Sequence, residues 1–146
     1  MRFYDSKDEE YSFADKRLSQ TEENQIVVED VYLSQKYPYG LPGEGIGKYL
    51  EYLSYDKIKN KADKLGFYRE WMYKIYLLEH KAVFADVELL LNNNAWYSAT
   101  RAITIYQKYA ELVRARDAAA KAQTNLEKIM SNKEIKAAKE MLEKEL

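Results

Sequence analysis

The sequence contains no cysteine and only one histidine, His80, among its 146 residues. The absence of cysteine excludes disulfides, zinc–thiolate sites, iron–sulfur clusters and thiol catalysis. A metal site built on histidine would need a second ligand, and His80 has no histidine partner four residues away. We therefore predict that the protein holds no metal ion and no cofactor.

Long hydrophobic runs are also missing. The longest candidate, residues 82–91, is interrupted by Asp86 and Glu88, whereas a membrane span needs about 18 apolar residues. The N-terminal sequence MRFYDSKDEE lacks the apolar core of a signal peptide and is too acidic for a transit peptide. We expect an intracellular protein, cytosolic or organellar, without a membrane span; this leaves peripheral contact with a membrane surface open.

Proline and glycine are rare and concentrated in one stretch. Residues 36–50, KYPYGLPGEGIGKYL, hold both prolines and four of the five glycines. A phosphate-binding loop would need glycine at the position of Pro42 and serine or threonine at the position of Tyr49. A dinucleotide-binding fingerprint would need glycine at the position of Lys48. We interpret residues 36–47 as a hook that turns the chain into the first helix.

Charge is distributed unevenly along the chain. Residues 1–35 carry four basic and nine acidic side chains, a net charge of −5, whereas residues 36–146 carry nineteen and fifteen, a net charge of +4. Residues 1–25 are polar and show no helical period. QIVVEDVYL, residues 25–33, fits a short strand, a helical turn or an extended segment docked on another surface, and we favour the docked segment. Residues 1–35 are thus predicted to be an extended acidic arm.

The rest of the chain has a helical pattern. No proline follows Pro42, and Gly66 is the only glycine after Gly47. Apolar residues spaced by three and four predict helices over residues 46–65, 67–91 and 95–130. Gly66 is predicted to end the first helix as a left-handed cap. The capping box SNKE, residues 131–134, predicts a last helix over residues 132–145.

These patterns together predict an all-α fold. We expect a long antiparallel helical hairpin or three-helix bundle with a short C-terminal helix, preceded by an extended acidic N-terminal arm. The predicted organisation is an arm over residues 1–35, a Pro/Gly hook over residues 36–47 and a helical domain over residues 48–146.

Tyrosine is abundant, with fourteen residues. Its ring is apolar and its hydroxyl polar, which suits surfaces that another protein covers. We predict that the N-terminal region contacts a partner through its scattered large side chains. These candidate residues are Phe3, Tyr11, Phe13, Val28, Tyr32, Tyr37 and Tyr39.

The sequence gives little indication of a group of residues arranged for catalysis. Helical spacing places His80 beside Tyr76, Val83 and Phe84, which offers no acid–base partner on its own face. Glu79 and Asp86 share a helix face, but a di-iron bundle requires Glu-x-x-His on two helices. We therefore predict that the protein is not an enzyme.

We expect an accessory or structural subunit that fastens to other protein subunits of a larger assembly, in an organelle or a virion-like particle, through its arm and long helices. The alternative is a nucleic-acid-binding mediator that uses the helix over residues 95–130. That helix carries Arg101, Lys108, Arg114, Arg116 and Lys121, interleaved with Tyr106 and Tyr109. We rank it second because Glu111 and Asp117 interrupt the basic stripe and the tyrosines fall at core spacing.

Overall fold

The computed structural model describes residues 2–5, 7–23, 25–38, 51–62 and 64–146. The chain divides into two compact units, Met1–Lys48 and Tyr49–Leu146, and each is described by itself.

The first unit contains an antiparallel sheet. Its strands are β1 (Arg2–Tyr4), β2 (Asp8–Leu18), β3 (Ile26–Leu33) and β4 (Tyr37–Pro38). Strand β2 is central: β1 pairs with one of its edges, and β3 followed by β4 pairs with the other. The sheet order is therefore β1-β2-β3, with β4 extending the line of β3.

Short polar side chains close the two hairpins of this sheet. The Asp5 Oδ1 atom accepts hydrogen bonds from the backbone amides of Lys7 at 2.6 Å and Asp8 at 2.8 Å. These two amides lower the pKa of Asp5. Between β2 and β3, the Ser19 hydroxyl accepts from the amides of Thr21 and Glu22. Both are side-chain-to-backbone turns of the kind that aspartate and serine favour.

The prediction of an all-α fold with an extended acidic arm is wrong. Residues 2–38 contribute the strands of a sheet. We predicted that this region has no pairing strand of its own, but β3 is that strand and pairs with Ser12–Leu18 of β2. The predicted hook over residues 36–47 falls largely on residues 39–47, which lie outside the described residues.

The second unit is helical. Its α-helices are α1 (Lys64–Glu79), α2 (Val87–Asn92), α3 (Ala99–Lys121) and α4 (Asn125–Glu143). Short 3₁₀ turns cover Tyr55–Lys57, Lys81–Val83 and Asn94–Tyr97. Helices α3 and α4 are antiparallel, since Lys108 in the first half of α3 binds Glu145 just beyond the end of α4.

Helix boundaries differ from those predicted. The predicted helix over residues 46–65 is wrong where the structure describes it, because residues 51–62 form 3₁₀ turns and extended backbone. The predicted helix over residues 67–91 is two helices, interrupted after Glu79. At this break Phe84 has extended backbone and is buried, with its ring 6.5 Å from that of Tyr109. Leaving the helix therefore lets Phe84 reach the core.

The long third helix is also shorter than predicted, and the capping box lies elsewhere. Thr124 accepts a hydrogen bond from the amide of Glu127 at 3.2 Å, and Glu127 accepts one from the amide of Thr124 at 2.9 Å. The backbone amides of Thr124 and Gln123, which both donate to the Glu127 carboxylate, lower the pKa of Glu127. The box predicted at residues 131–134 is wrong, since Ser131 is buried inside α4. TNLE carries the same signature as SNKE and comes first along the chain.

Gly66 lies in the first turn of α1 and is buried, so it is not the predicted left-handed cap. A Cβ atom added there would lie 2.5 to 2.6 Å from the side-chain amide of Asn60. Glycine therefore leaves room for the buried Asn60 side chain against the first turn of α1.

Gly66→Ala tests this close approach. In an unobstructed helix the change stabilises by about 1 kcal/mol. Here we expect a loss of about 1–3 kcal/mol in denaturant unfolding, because the methyl group overlaps Asn60. Asn60→Ala/Gly66→Ala should unfold at a higher denaturant concentration than Asn60→Ala alone. Stabilisation by Gly66→Ala in the native background would contradict the assignment.

Candidate interaction surfaces

The strongest surface feature of the first unit is an aliphatic stripe on β3. We define the aliphatic stripe as Ile26, Val28, Val31 and Leu33. Their side chains are exposed by 65%, 49%, 61% and 56%, respectively. Soluble proteins rarely leave so many large aliphatic side chains exposed side by side unless another surface covers them.

A β-bulge aligns this stripe. Lys16 pairs with Val28 whereas Asp15 pairs with Asp30, so one residue of β3 is extra at this point. Regular alternation would put Val28 and Val31 on opposite faces of the sheet. Because of the bulge, Val31 pairs with Ala14 and lies on the same face as Val28, which pairs with Lys16.

The opposite face of the sheet is covered. Tyr11 and Phe13 are buried, and the half-buried ring of Tyr32 stacks 6.3 Å from that of Phe13. Ser34 fastens the end of β3 by accepting a hydrogen bond from the amide of Tyr11 at 2.9 Å. The two faces of the sheet therefore have different environments, one buried and aromatic and the other exposed and aliphatic.

The predicted partner-binding residues thus separate into groups. Tyr11, Phe13 and Tyr32 pack on the covered face, while Val28 belongs to the exposed stripe. Phe3 lies in β1 and Tyr37 in β4, and their side chains are not among those described; Tyr39 lies outside the described residues. A partner role for Val28 stays a prediction.

Sequence reasoning missed three members of the stripe, Ile26, Val31 and Leu33. Their signal was the β-branched run IVVEDVYL, interrupted by two acidic residues. Read without a bulge, this run has no consistent apolar face, which concealed the stripe.

A buried ion pair lies in the second unit. The Lys74 ammonium is 2.7 Å from the Glu70 carboxylate, and their side chains are 1% and 0% exposed. Glu70 also accepts hydrogen bonds from the amides of Lys59 and Asn60, at 3.0 and 2.7 Å, and Lys74 donates to the carbonyl of Lys57 at 3.1 Å. Burial lowers the pKa of Lys74, and the hydrogen bond to Glu70 opposes that effect.

This pair fastens chain segments together. Glu70 satisfies two backbone amides of the segment that precedes α1, and the Lys59 side chain donates to the Asn93 carbonyl at 3.1 Å and to the Asn94 side chain at 3.0 Å. All these contacts link the 57–60 segment to helical elements. The arrangement is that of a structural network, because its polar atoms are engaged with the backbone.

His80 and the neighbouring tyrosines have structural contacts. The His80 Nδ1 atom lies 2.9 Å from the Tyr76 carbonyl, and the Tyr109 hydroxyl donates to the His80 carbonyl at 2.9 Å. Burial raises the pKa of Tyr76 to about 12 and raises that of Tyr109 as well. Both phenols therefore stay neutral at physiological pH.

Tyr106 and Tyr109, which the alternative hypothesis of nucleic-acid binding would use, pack between α1 and α3. Tyr106 stacks on Tyr73 with ring centroids 4.4 Å apart, and Tyr109 is fully buried. Lys108 is paired with Glu145. The aromatic part of that alternative is therefore not presented to a nucleic acid, although Arg101, Arg114, Arg116 and Lys121 are exposed.

Within the described ranges, no three histidine, aspartate or glutamate side chains are placed to hold a metal ion. Of the helices built from described residues, none combines the length and the apolar character that crossing a bilayer requires.

The two units occur together in a family of proteins. A family model described as a domain of unknown function (DUF4391) matches residues 1–142, so the chain belongs to that family. The match spans both the sheet and the four helices. No curated protein and no solved structure matches the chain.

Proposed function

We propose that this protein is a non-enzymatic accessory subunit that binds another protein chain through the aliphatic stripe. The observation that carries the proposal is the β-bulge between β2 and β3, which collects four large aliphatic side chains on one exposed face. Bulges are frequent at sheet edges and next to functional sites, where they change the direction of a side chain.

The stripe offers binding energy. Fully burying a valine, leucine or isoleucine side chain contributes about 1.5–3 kcal/mol. Since these four side chains are each about half exposed, covering them contributes on the order of 3–6 kcal/mol before the costs of association. This supports a partner that needs additional contacts, such as backbone hydrogen bonds, to bind tightly.

Strand β3 can supply those additional contacts. It is at the edge of the sheet order, and its outer edge has no strand partner in the part of the chain that the structure describes. An extended peptide could add there as a further strand and bury alternate side chains on the stripe. The bulge at Glu29 limits such pairing to the two flanking segments and disfavours indiscriminate sheet extension.

The charge of this unit favours a basic partner. Residues 1–48 carry six basic and ten acidic side chains, a net charge of −4, and two of the acidic residues, Glu29 and Asp30, lie within β3 itself. A complementary segment would alternate aliphatic residues with lysine or arginine. A segment alternating aliphatic residues with glutamate would be repelled.

Peptide binding tests the proposal. Two labelled ten-residue peptides, one alternating valine with lysine and the other valine with glutamate, would be titrated with the full chain by fluorescence anisotropy. We expect the lysine peptide to bind at least about tenfold more tightly, a difference of about 1.4 kcal/mol. Equal affinities, or no binding of either peptide at millimolar concentration, would refute the proposed partner chemistry.

Matched variants locate the binding surface. Val31→Lys/Leu33→Lys should abolish binding of the lysine peptide, because both side chains are exposed members of the stripe. Leu89→Lys is the control: Leu89 is 58% exposed and belongs to the second unit, so binding should be unchanged. If the stripe variant binds as well as the native chain, the stripe is not the site. In cells, a photo-reactive residue at position 31 should cross-link to the partner, whereas one at position 89 serves as the control.

A further inference from the structure

A groove runs along the hairpin of α3 and α4. One section, of about 510 Å³, lies between Glu111–Ala118 of α3 and Glu134–Met141 of α4. A second section, of about 520 Å³, lies between Ala118–Ala122 and Glu127–Glu134. Ala118 and Glu134 line both sections, so the groove is continuous along the hairpin.

Small side chains keep the groove open. Residues that line it from the two helices include Ala115, Ala118, Ala122, Ala137 and Ala138. Alanine at helical spacing lets another helix approach closely. Met130 and Met141, exposed by 55% and 44%, stand on the α4 side and can adapt to an incoming surface.

The two walls of the groove carry opposite charges. The α3 wall presents Arg114 and Lys121, seven residues apart, and the α4 wall presents Glu127 and Glu134, also seven apart. Arg114 shares one section with Glu134, and Lys121 shares the other with Glu127. Neither basic residue forms an ion pair among the described residues. Glu111 adds one acidic residue to the α3 wall near Met141.

We propose that a second copy of this chain occupies the groove, so that two α3–α4 hairpins form an antiparallel four-helix bundle. A twofold axis parallel to the helices brings α3 of each copy beside α4 of the other. Arg114 then faces the partner's Glu134, and Lys121 faces the partner's Glu127. Every such contact occurs twice, because the interface is symmetric.

The charge pattern selects this arrangement over its alternatives. A twofold axis that set α3 against α3 would bring Arg114 and Lys121 toward their own copies, which repels. A helix from another protein would need its own matching pattern of acidic and basic rows, whereas a second copy of the hairpin already has it. This inference uses a different surface from the aliphatic stripe and does not depend on it.

The size of the groove predicts a weak dimer. Fifteen residues of α4 extend about 22 Å, and two helices side by side are about 20 Å wide, which gives about 450 Å² per protomer. Stable interfaces bury about 800 Å² per partner. We therefore expect dimers that form and dissociate with concentration in the micromolar range.

Sedimentation velocity of the full chain, from about 5 to 500 µM, tests this. The native chain of 17.2 kDa should shift toward twice that mass as concentration rises. Arg114→Glu should weaken dimerisation at least about tenfold, since it places two like-charge contacts in each dimer. Arg114→Glu/Glu134→Arg exchanges the charges and should restore it. Arg101→Glu, an exposed position outside the groove lining, should change nothing.

Several outcomes would overturn the proposal. A native chain that stays monomeric at 500 µM rules out the second copy as occupant. A dimer that is equally stable in Arg114→Glu must use another surface. A dimer that Val31→Lys/Leu33→Lys abolishes, but Arg114→Glu does not, would assign self-association to the aliphatic stripe. Circular dichroism of each variant confirms that α3 and α4 are still folded.

Discussion

Replacing Glu70 by alanine should destabilise the helical unit by about 3–5 kcal/mol, because it leaves the buried Lys74 ammonium without a counter-charge. The same change removes the acceptor for the amides of Lys59 and Asn60. An unsatisfied buried amide costs about 1–3 kcal/mol by itself. The loss of the counter-charge and the loss of the amide acceptor are not additive, and the expected total of about 3–5 kcal/mol includes both. Denaturant unfolding followed by far-UV circular dichroism measures the effect.

A second ion pair provides the control. Lys136 and Glu140 in α4 have the same four-residue spacing, but their side chains are 81% and 57% exposed. Glu140→Ala should therefore change the free energy of unfolding by no more than about 0.5 kcal/mol. Glu70→Gln/Lys74→Met, which removes both charges and keeps an amide acceptor, should be more stable than Glu70→Ala. If Glu70→Ala and Glu140→Ala have equal effects, the buried pair does not hold the unit together.

Trp96→Ala is expected to cost about 3–5 kcal/mol as well. The Trp96 ring is fully buried, and its Nε1–H donates to the Leu90 carbonyl at 2.7 Å. The Lys74 ammonium lies 5.5 Å from the ring centroid. Removing the ring leaves a large buried cavity, which accounts for most of the expected loss of unfolding free energy. It also removes one of the two hydrogen bonds to the Leu90 carbonyl, which still accepts from the Asn93 amide at 3.1 Å.

The neighbouring residue is the matched comparison for Trp96. Tyr97 follows it directly in the chain, but its side chain is 67% exposed and has Lys59 5.5 Å from its ring centroid. Tyr97→Ala should therefore cost no more than about 1 kcal/mol. Trp96→Phe should fall between the two, since it keeps most of the volume but loses the hydrogen bond. A Trp96→Ala variant that unfolds like Tyr97→Ala would show that this ring is not part of the core.

The sequence predicted correctly that the C-terminal two thirds of the chain are largely helical, but it did not predict where the helices end. The three-and-four spacing identified apolar residues such as Ile75 and Leu78, which are buried in α1. The same spacing continued through residues 80–86, where the chain leaves the helix so that Phe84 can pack near Tyr109. Local periodicity contains no information about that distant ring, so the break could not be predicted from it.

The N-terminal sheet was missed for a related reason. Tyr11 and Phe13 alternate with polar residues, which is a strand signal, but the partner strand IVVEDVYL shows no matching alternation because it contains the bulge. The acidic net charge of residues 1–35 also favoured the prediction of an extended arm. Pairing over Ser12–Leu18 satisfies the backbone and offsets the cost of ordering the acidic chain.

The sequence by itself determined that thiol chemistry is absent, since it has no cysteine, and it determined the acidic character of the first third and the helical character of the rest. Each of these follows from composition or from contacts a few residues apart. Only the tertiary structure decided where the helices end, that Gly66 lies against the Asn60 side chain, and that Glu70 and Lys74 form a buried pair. It also decided that Val28 and Val31 share one face. These features arise between residues of different elements, or from a one-residue shift in register, and no local pattern encodes them.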